Sequence, residues 1–221
     1  MKRLTKNYIV SCLLIIVAIA YTIVVKKIDV QSIGPNNSSV GLATINKFFI
    51  NLLGSNMTIY KITEVLGILA ILVALTYALV GIFELVDRKS IKKVDKEIIA
   101  VGCLYVVVIM LYVFFEKYIV NYRPILIDGE LEASYPSSHT MLAICVCVSS
   151  MLINKYIYKN KKVIKIENAI TLFLLITIVC GRLLSGVHWF TDIVGGIIIS
   201  TALLYTFNTI IKLLRLKKDS E

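Results

Sequence analysis

The chain has 221 residues, 58% of them hydrophobic, a formal net charge of +10 and a mean hydropathy of +0.84. It is too apolar for an ordinary water-soluble domain, and its length fits a single membrane-embedded domain over 1–221. The positive charge does not point to nucleic acid, because the basic residues sit in short blocks between apolar runs, where they suit loops lying on anionic lipid.

Lys2, Arg3 and Lys6 open the chain, followed by an apolar stretch at about 8–25. That stretch is longer than a signal-peptide core, and Lys26-Lys27 follows it in place of a small-residue cleavage site, so it reads as a retained transmembrane helix. The next connection begins with a polar, turn-rich piece, Gln31 to Ser39. Leu42, Ile45, Phe48, Phe49 and Leu52 then recur at helical spacing. This pattern predicts an amphipathic helix lying in the membrane interface or over the neighbouring loops. Further apolar spans lie near 62–86, 98–115, 139–154, 168–184 and 190–211, the fourth being the shortest. The bilayer interior demands that each span satisfy its own backbone hydrogen bonds, so all six are helices. The fold class expected is an all-α integral membrane protein, a six-transmembrane-helix bundle with an interfacial helix in the first outer loop.

Basic residues orient the bundle. The N-terminus, the connections at 88–96 and 155–165 and the C-terminus alternate along the chain and hold 17 of the 24 Lys and Arg residues. They therefore share one side, expected to be the cytoplasm of a plasma (inner) membrane. The connections around 26–61, 116–138 and 185–189 fall on the other side. The five cysteines, Cys12, Cys103, Cys145, Cys147 and Cys180, all lie in apolar runs without metal or disulfide spacing, and read as small apolar residues.

Chemistry collects on the outer side. Both histidines of the chain, His139 and His188, fall there, with Arg123 and Arg182. His188 and Asp192 are four apart, so on a helix they share a face, and the carboxylate can hold one ring nitrogen while the other is free to attack. Tyr135-Pro136-Ser137-Ser138-His139 carries a helix-start signal that puts His139 in the first turn of span four. Free N–H groups there, with the Ser137 and Ser138 hydroxyls, favour an anion. Arg123, ahead of Pro124, offers a planar fork to phosphate oxygens. Two imidazoles, a carboxylate, two guanidiniums and two hydroxyls suit phosphoryl transfer through a histidine nucleophile, with a second histidine as acid. Asp128, Glu130 and Glu132 read as a solvated acidic loop rather than a divalent-ion site.

These residues resemble the type 2 phosphatidic acid phosphatase superfamily, which includes lipid phosphate phosphatases and undecaprenyl diphosphate phosphatases. The family pattern is a lysine six residues before Arg-Pro, then Pro-Ser-Gly-His, then Ser-Arg followed by His and Asp. Arg123-Pro124, Pro136-Ser137-Ser138-His139 and Gly181-Arg182 with His188 and Asp192 match it in order and spacing. The resemblance implies that His188 forms a phosphohistidine, Asp192 orients it, and His139 protonates the leaving group. Arg123, Arg182 and Ser137 would bind phosphate, with Ser138 adding a second hydroxyl. It implies a metal-independent phosphoric monoester or diphosphate hydrolase with no cofactor. The partners are a lipid phosphate or diphosphate and the surrounding membrane lipids. Three positions depart from the pattern: Glu116 stands where the family has lysine, with Lys117 adjacent; Ser138 replaces a glycine; Gly181 replaces a serine. The expected activity is hydrolysis of an isoprenoid diphosphate or glycerolipid phosphate at the outer face. A lipid phosphotransferase using the same histidine, and a catalytically impaired lipid-phosphate binder or transporter, are the alternatives.

Overall fold

Apolar runs of this length satisfy their backbones in lipid only as helices. The structure, a computed structural model that describes residues 2–218, follows that rule; Met1 and residues 219–221 lie outside the described part. Among the described residues seven α-helices occur in chain order: α1 (Lys2–Lys27), α2 (Ala43–Leu53), α3 (Met57–Arg88), α4 (Lys96–Lys117), α5 (Ser138–Ile157), α6 (Lys161–Leu184) and α7 (Phe190–Lys218). All but α2 are long and apolar enough to cross a membrane. Among the described residues there is no strand, only isolated bridges such as Gln31–Val40 and Tyr122–Ala133. The fold is the expected all-α membrane bundle of six spans.

Several helices outrun their apolar stretch because polar residues cap them beyond it. Asn56 accepts from the N–H groups of Thr58 and Ile59 and starts α3 five residues before the apolar run at 62–86. Helix α5, the shortest expected span, sits at the centre, packed by α3, α4, α6 and α7. Its Ala143, Cys145, Cys147, Ser149 and Ser150 are all buried, and such small side chains let neighbouring helices approach closely. The outer faces do the opposite. Leu79, Phe83 and Val86 of α3 and Ile170 and Phe173 of α6 are exposed, a surface that acyl chains cover and water would not tolerate. Cys145 and Cys147 are buried, Cys12, Cys103 and Cys180 face outward, and all five are free thiols.

Helix α2 is docked as well as amphipathic. Its fully buried Asn46 donates to the Gly41 carbonyl and to Thr191 Oγ1, both at 2.9 Å, and accepts from the Thr191 N–H. Phe49 stacks on Phe190 with ring centroids 3.9 Å apart. The opposite face of α2, with Ile45, Phe48 and Leu52, is exposed. The outer connection is thereby fastened to the start of α7. At the other end of the bundle, Arg88 pairs with Glu84 and Asp95, and Arg215 with Glu97.

Candidate active site

Three connections converge at the end of the bundle that carries α2. The first is folded back by a short hairpin. Asp128 and Gly129 adopt positive φ of 50° and 84°, as the central pair of a two-residue turn requires. The Ser134 N–H donates to the Asn121 carbonyl at 2.9 Å, and the Arg123 N–H to the Glu132 carbonyl at 3.0 Å. The two legs therefore hold Arg123 and Ser134 side by side.

The second connection, between α6 and α7, carries His188. Gly186 turns it at φ 63°, tight against the backbone of Gly54 and Ser55. The Asn56 N–H donates to the Ser185 carbonyl at 2.9 Å, which ties the turn to the start of α3. His188 is only 3% exposed. Its Nδ1 lies 3.0 Å from the Ser134 carbonyl oxygen. A carbonyl can only accept, so Nδ1 carries the proton and Nε2 presents its lone pair. That lone pair faces Nη1 of Arg123 at 3.5 Å. Burial, and after it the charges of Arg123, Arg182 and His139, hold His188 well below the usual imidazole range. The ring is therefore neutral at neutral pH.

The carboxylate expected to orient His188 stands one step back. Asp192 Oδ2 is 3.8 Å from Nδ1, beyond hydrogen-bond distance. It accepts instead from the Trp189 N–H at 2.8 Å, while the Asn121 amide donates to Oδ1 at 3.4 Å. The first of these is the reach-back of a third helical residue to the N-cap. The Ser134 carbonyl sets the tautomer, and Asp192 places a fully buried carboxyl group behind the ring.

Arg123 is held from its other side by Glu132, whose carboxylate lies 2.9 Å from Nε. Glu132 therefore belongs to the site and is not part of a merely solvated loop. Glu116, Arg123, Ser134, Ser138 and His188 line one small cavity. Lys117 lies outside it, exposed at the end of α4, as the rotation of about 100° between successive helical residues dictates. Ser137 is fully buried, and its hydroxyl caps α5 by accepting from the Thr140 N–H at 3.4 Å.

His139 and Arg182 meet on a residue the sequence analysis did not single out. Glu64, inside α3, ion-pairs with Arg182 and lies 3.5 Å from His139 Nε2. Arg182 is fully buried, sits over the Tyr60 ring at 5.0 Å, and keeps Nε and Nη1 without hydrogen-bond partners among the described residues. The signal available in the sequence was a carboxylate inside an apolar span, which rarely stands there without a partner. The Ser134 carbonyl left no signal, since any residue provides a main-chain oxygen.

Residues 117–215 match the family model described as the PAP2 superfamily. That stretch, a little under half of the chain, is what resembles the PAP2 superfamily. No curated protein sequence matches it. In fold, the chain is similar to the crystal structure of a transmembrane PAP2-type phosphatidylglycerolphosphate phosphatase from Bacillus subtilis. The two share 17% identity over 96% of this chain and 97% of that one, with a TM-score of 0.58. Two departures from the superfamily pattern have local causes. Ser138 is the first residue of α5, where a helical backbone accepts any side chain. At Gly181 an added Cβ would run into the Thr63 methyl of α3, so the space a serine side chain would need is already filled.

Proposed function

We propose that this protein is a PAP2-type membrane lipid phosphatase, one domain over 1–221, that releases phosphate through a phosphohistidine on His188. The observation that carries the reading is the 3.0 Å contact of His188 Nδ1 with the Ser134 carbonyl. It leaves Nε2 deprotonated beside a guanidinium that can hold a phosphoryl group. Nε2 attacks phosphorus, the P–O bond to the lipid breaks, and the leaving oxygen takes a proton from His139. Water then attacks phosphorus as His139 accepts its proton, the P–N bond breaks with its electron pair returning to Nε2, and inorganic phosphate departs with His188 restored. Arg123 and Arg182 bind the equatorial oxygens, and the charge of Asp192 balances the positive charge that grows on the His188 ring. The Ser138 hydroxyl, in the wall of the same cavity, donates to the phosphoryl group.

The substrate class is a glycerolipid phosphate or an isoprenoid diphosphate. The structural neighbour acts on phosphatidylglycerolphosphate by its name, which makes that lipid the first glycerolipid to assay. By the distribution of basic residues, both termini are cytoplasmic and the site opens on the outer face. The decisive assay is phosphate release from phosphatidylglycerol phosphate, phosphatidate and undecaprenyl diphosphate by purified wild type and His188→Ala. Release from one of these lipids that disappears in His188→Ala is expected. Full activity in a folded His188→Ala protein refutes the phosphohistidine.

A further inference from the structure

Helix α3 lies outside the residues that match the superfamily model, which begin at 117. It nevertheless turns one stripe to the site: Tyr60, Thr63, Glu64 and Gly67, at the i, i+3, i+4, i+7 spacing of a single helical face. Each member meets a site residue or its immediate neighbour. Tyr60 lies under Arg182. Thr63 fills the space beside Gly181. Glu64 bridges Arg182 and His139. Gly67 provides the seat of the His139 ring, since an added Cβ would stand 2.5 Å from Cδ2 and 2.8 Å from Nε2.

We infer that Glu64 is a positioning residue for the proton-donating histidine, fixing the His139 ring against the α3 stripe and tying it to the phosphate-binding Arg182. The inference rests on the phosphatase reading, in which His139 is the acid. The carboxylate steadies the ring in one orientation, as carboxylates do for histidines elsewhere. His139 needs such a partner because its Nδ1 is buried without a hydrogen-bond acceptor among the described residues. With Gly67 below and Glu64 alongside, the ring has one seat. The same carboxylate engages Arg182, so the group that binds phosphate and the group that protonates the leaving oxygen are set relative to each other by one side chain.

A residue that only supports folding would slow all substrates alike. One that positions an acid matters only where the leaving group needs a proton. The full-length protein in detergent is assayed with dioctanoyl phosphatidate, whose alkoxide must be protonated, and with p-nitrophenyl phosphate, whose aryloxide need not be. In Glu64→Gln the ratio of kcat on the alkyl ester to kcat on the aryl ester is expected to fall about a hundredfold, within the usual range of a general acid. Gly67→Ala, which displaces the ring and leaves the carboxylate in place, is expected to lower the same ratio and answers the question if Glu64→Gln does not fold. An unchanged ratio in a folded variant, with wild type active on both esters, overturns the role of Glu64 and leaves the phosphatase reading intact. A wild type inactive on every phosphate ester overturns the phosphatase reading and this inference with it.

Discussion

Replacing Asp192 by asparagine separates two ways in which a carboxylate can serve a histidine. Where the carboxylate alone fixes the tautomer, as in serine protease triads, the substitution costs about 10⁴-fold. Here the Ser134 carbonyl already holds the Nδ1 proton, and Asp192 stands 3.8 Å from that nitrogen. What asparagine removes is charge. A full positive charge on the ring at that distance interacts with the carboxylate by about 4 kcal/mol at an effective dielectric of about 20. Half a charge in the transition state gives about 2 kcal/mol. The expected loss in kcat is therefore roughly thirtyfold to a thousandfold. KM should stay within about threefold, because the substitution leaves Arg123 and Arg182, the proposed phosphate ligands, in place. Asparagine can still accept from the Trp189 N–H, so the stability should change by no more than about 1 kcal/mol. Steady-state phosphate release and rapid-quench trapping of the phosphoenzyme measure the effect. A kcat within about threefold of wild type, in a protein that melts normally, would refute the reasoning and leave Asp192 as a helix cap.

Acid should destabilise the fold through His188. The unfolded chain takes up a proton near pH 6.5, whereas burial and the neighbouring positive charges keep the folded ring unprotonated to well below that value. The unfolded state then binds more protons, and stability falls as pH drops through about 6.5 by up to about 1.4 kcal/mol per unit. Melting in detergent between pH 7.5 and pH 5 should show a shallower decline in His188→Gln, and parallel curves would contradict the burial argument. Gly186→Ala should destabilise by more than about 1 kcal/mol, because φ is 63° and the new methyl meets the Gly54 carbonyl. A variant that melts like wild type would show that the turn relaxes.

Much of this architecture is written in patterns a single sequence carries. Six spans follow from apolar length alone, and the start of α5 follows from Pro136-Ser137, whose serine does cap the helix. His188, Asp192, Arg123 and Ser138 come from segments far apart in the chain, yet residue type and spacing were enough to group them. What escaped depends on relations between elements. The periodicity of α2 announced an apolar face but not Asn46, a polar residue buried by partners 145 positions away at Thr191. Glu64 carried no motif of its own, because its partners, Arg182 and His139, sit on other helices. The hydrogen-bond acceptor of His188 proved to be main chain, which side-chain identity never reveals. Glu116 was legible as a departure from the family pattern, and it does line the cavity with Arg123 and His188.

The pairing of Arg182 with Glu64 also bears on how this chain can change or be cut. The arginine stands within the matched stretch and its acid stands before it, so the recognisable half of the protein is not a transplantable one. Moved onto another partner helix, it would carry a guanidinium sealed away from water with no carboxylate to answer it, the arrangement proteins tolerate least. Drift at position 64 is thereby tied to drift at 182, and a region without a recognisable motif inherits the constraints of one that has it.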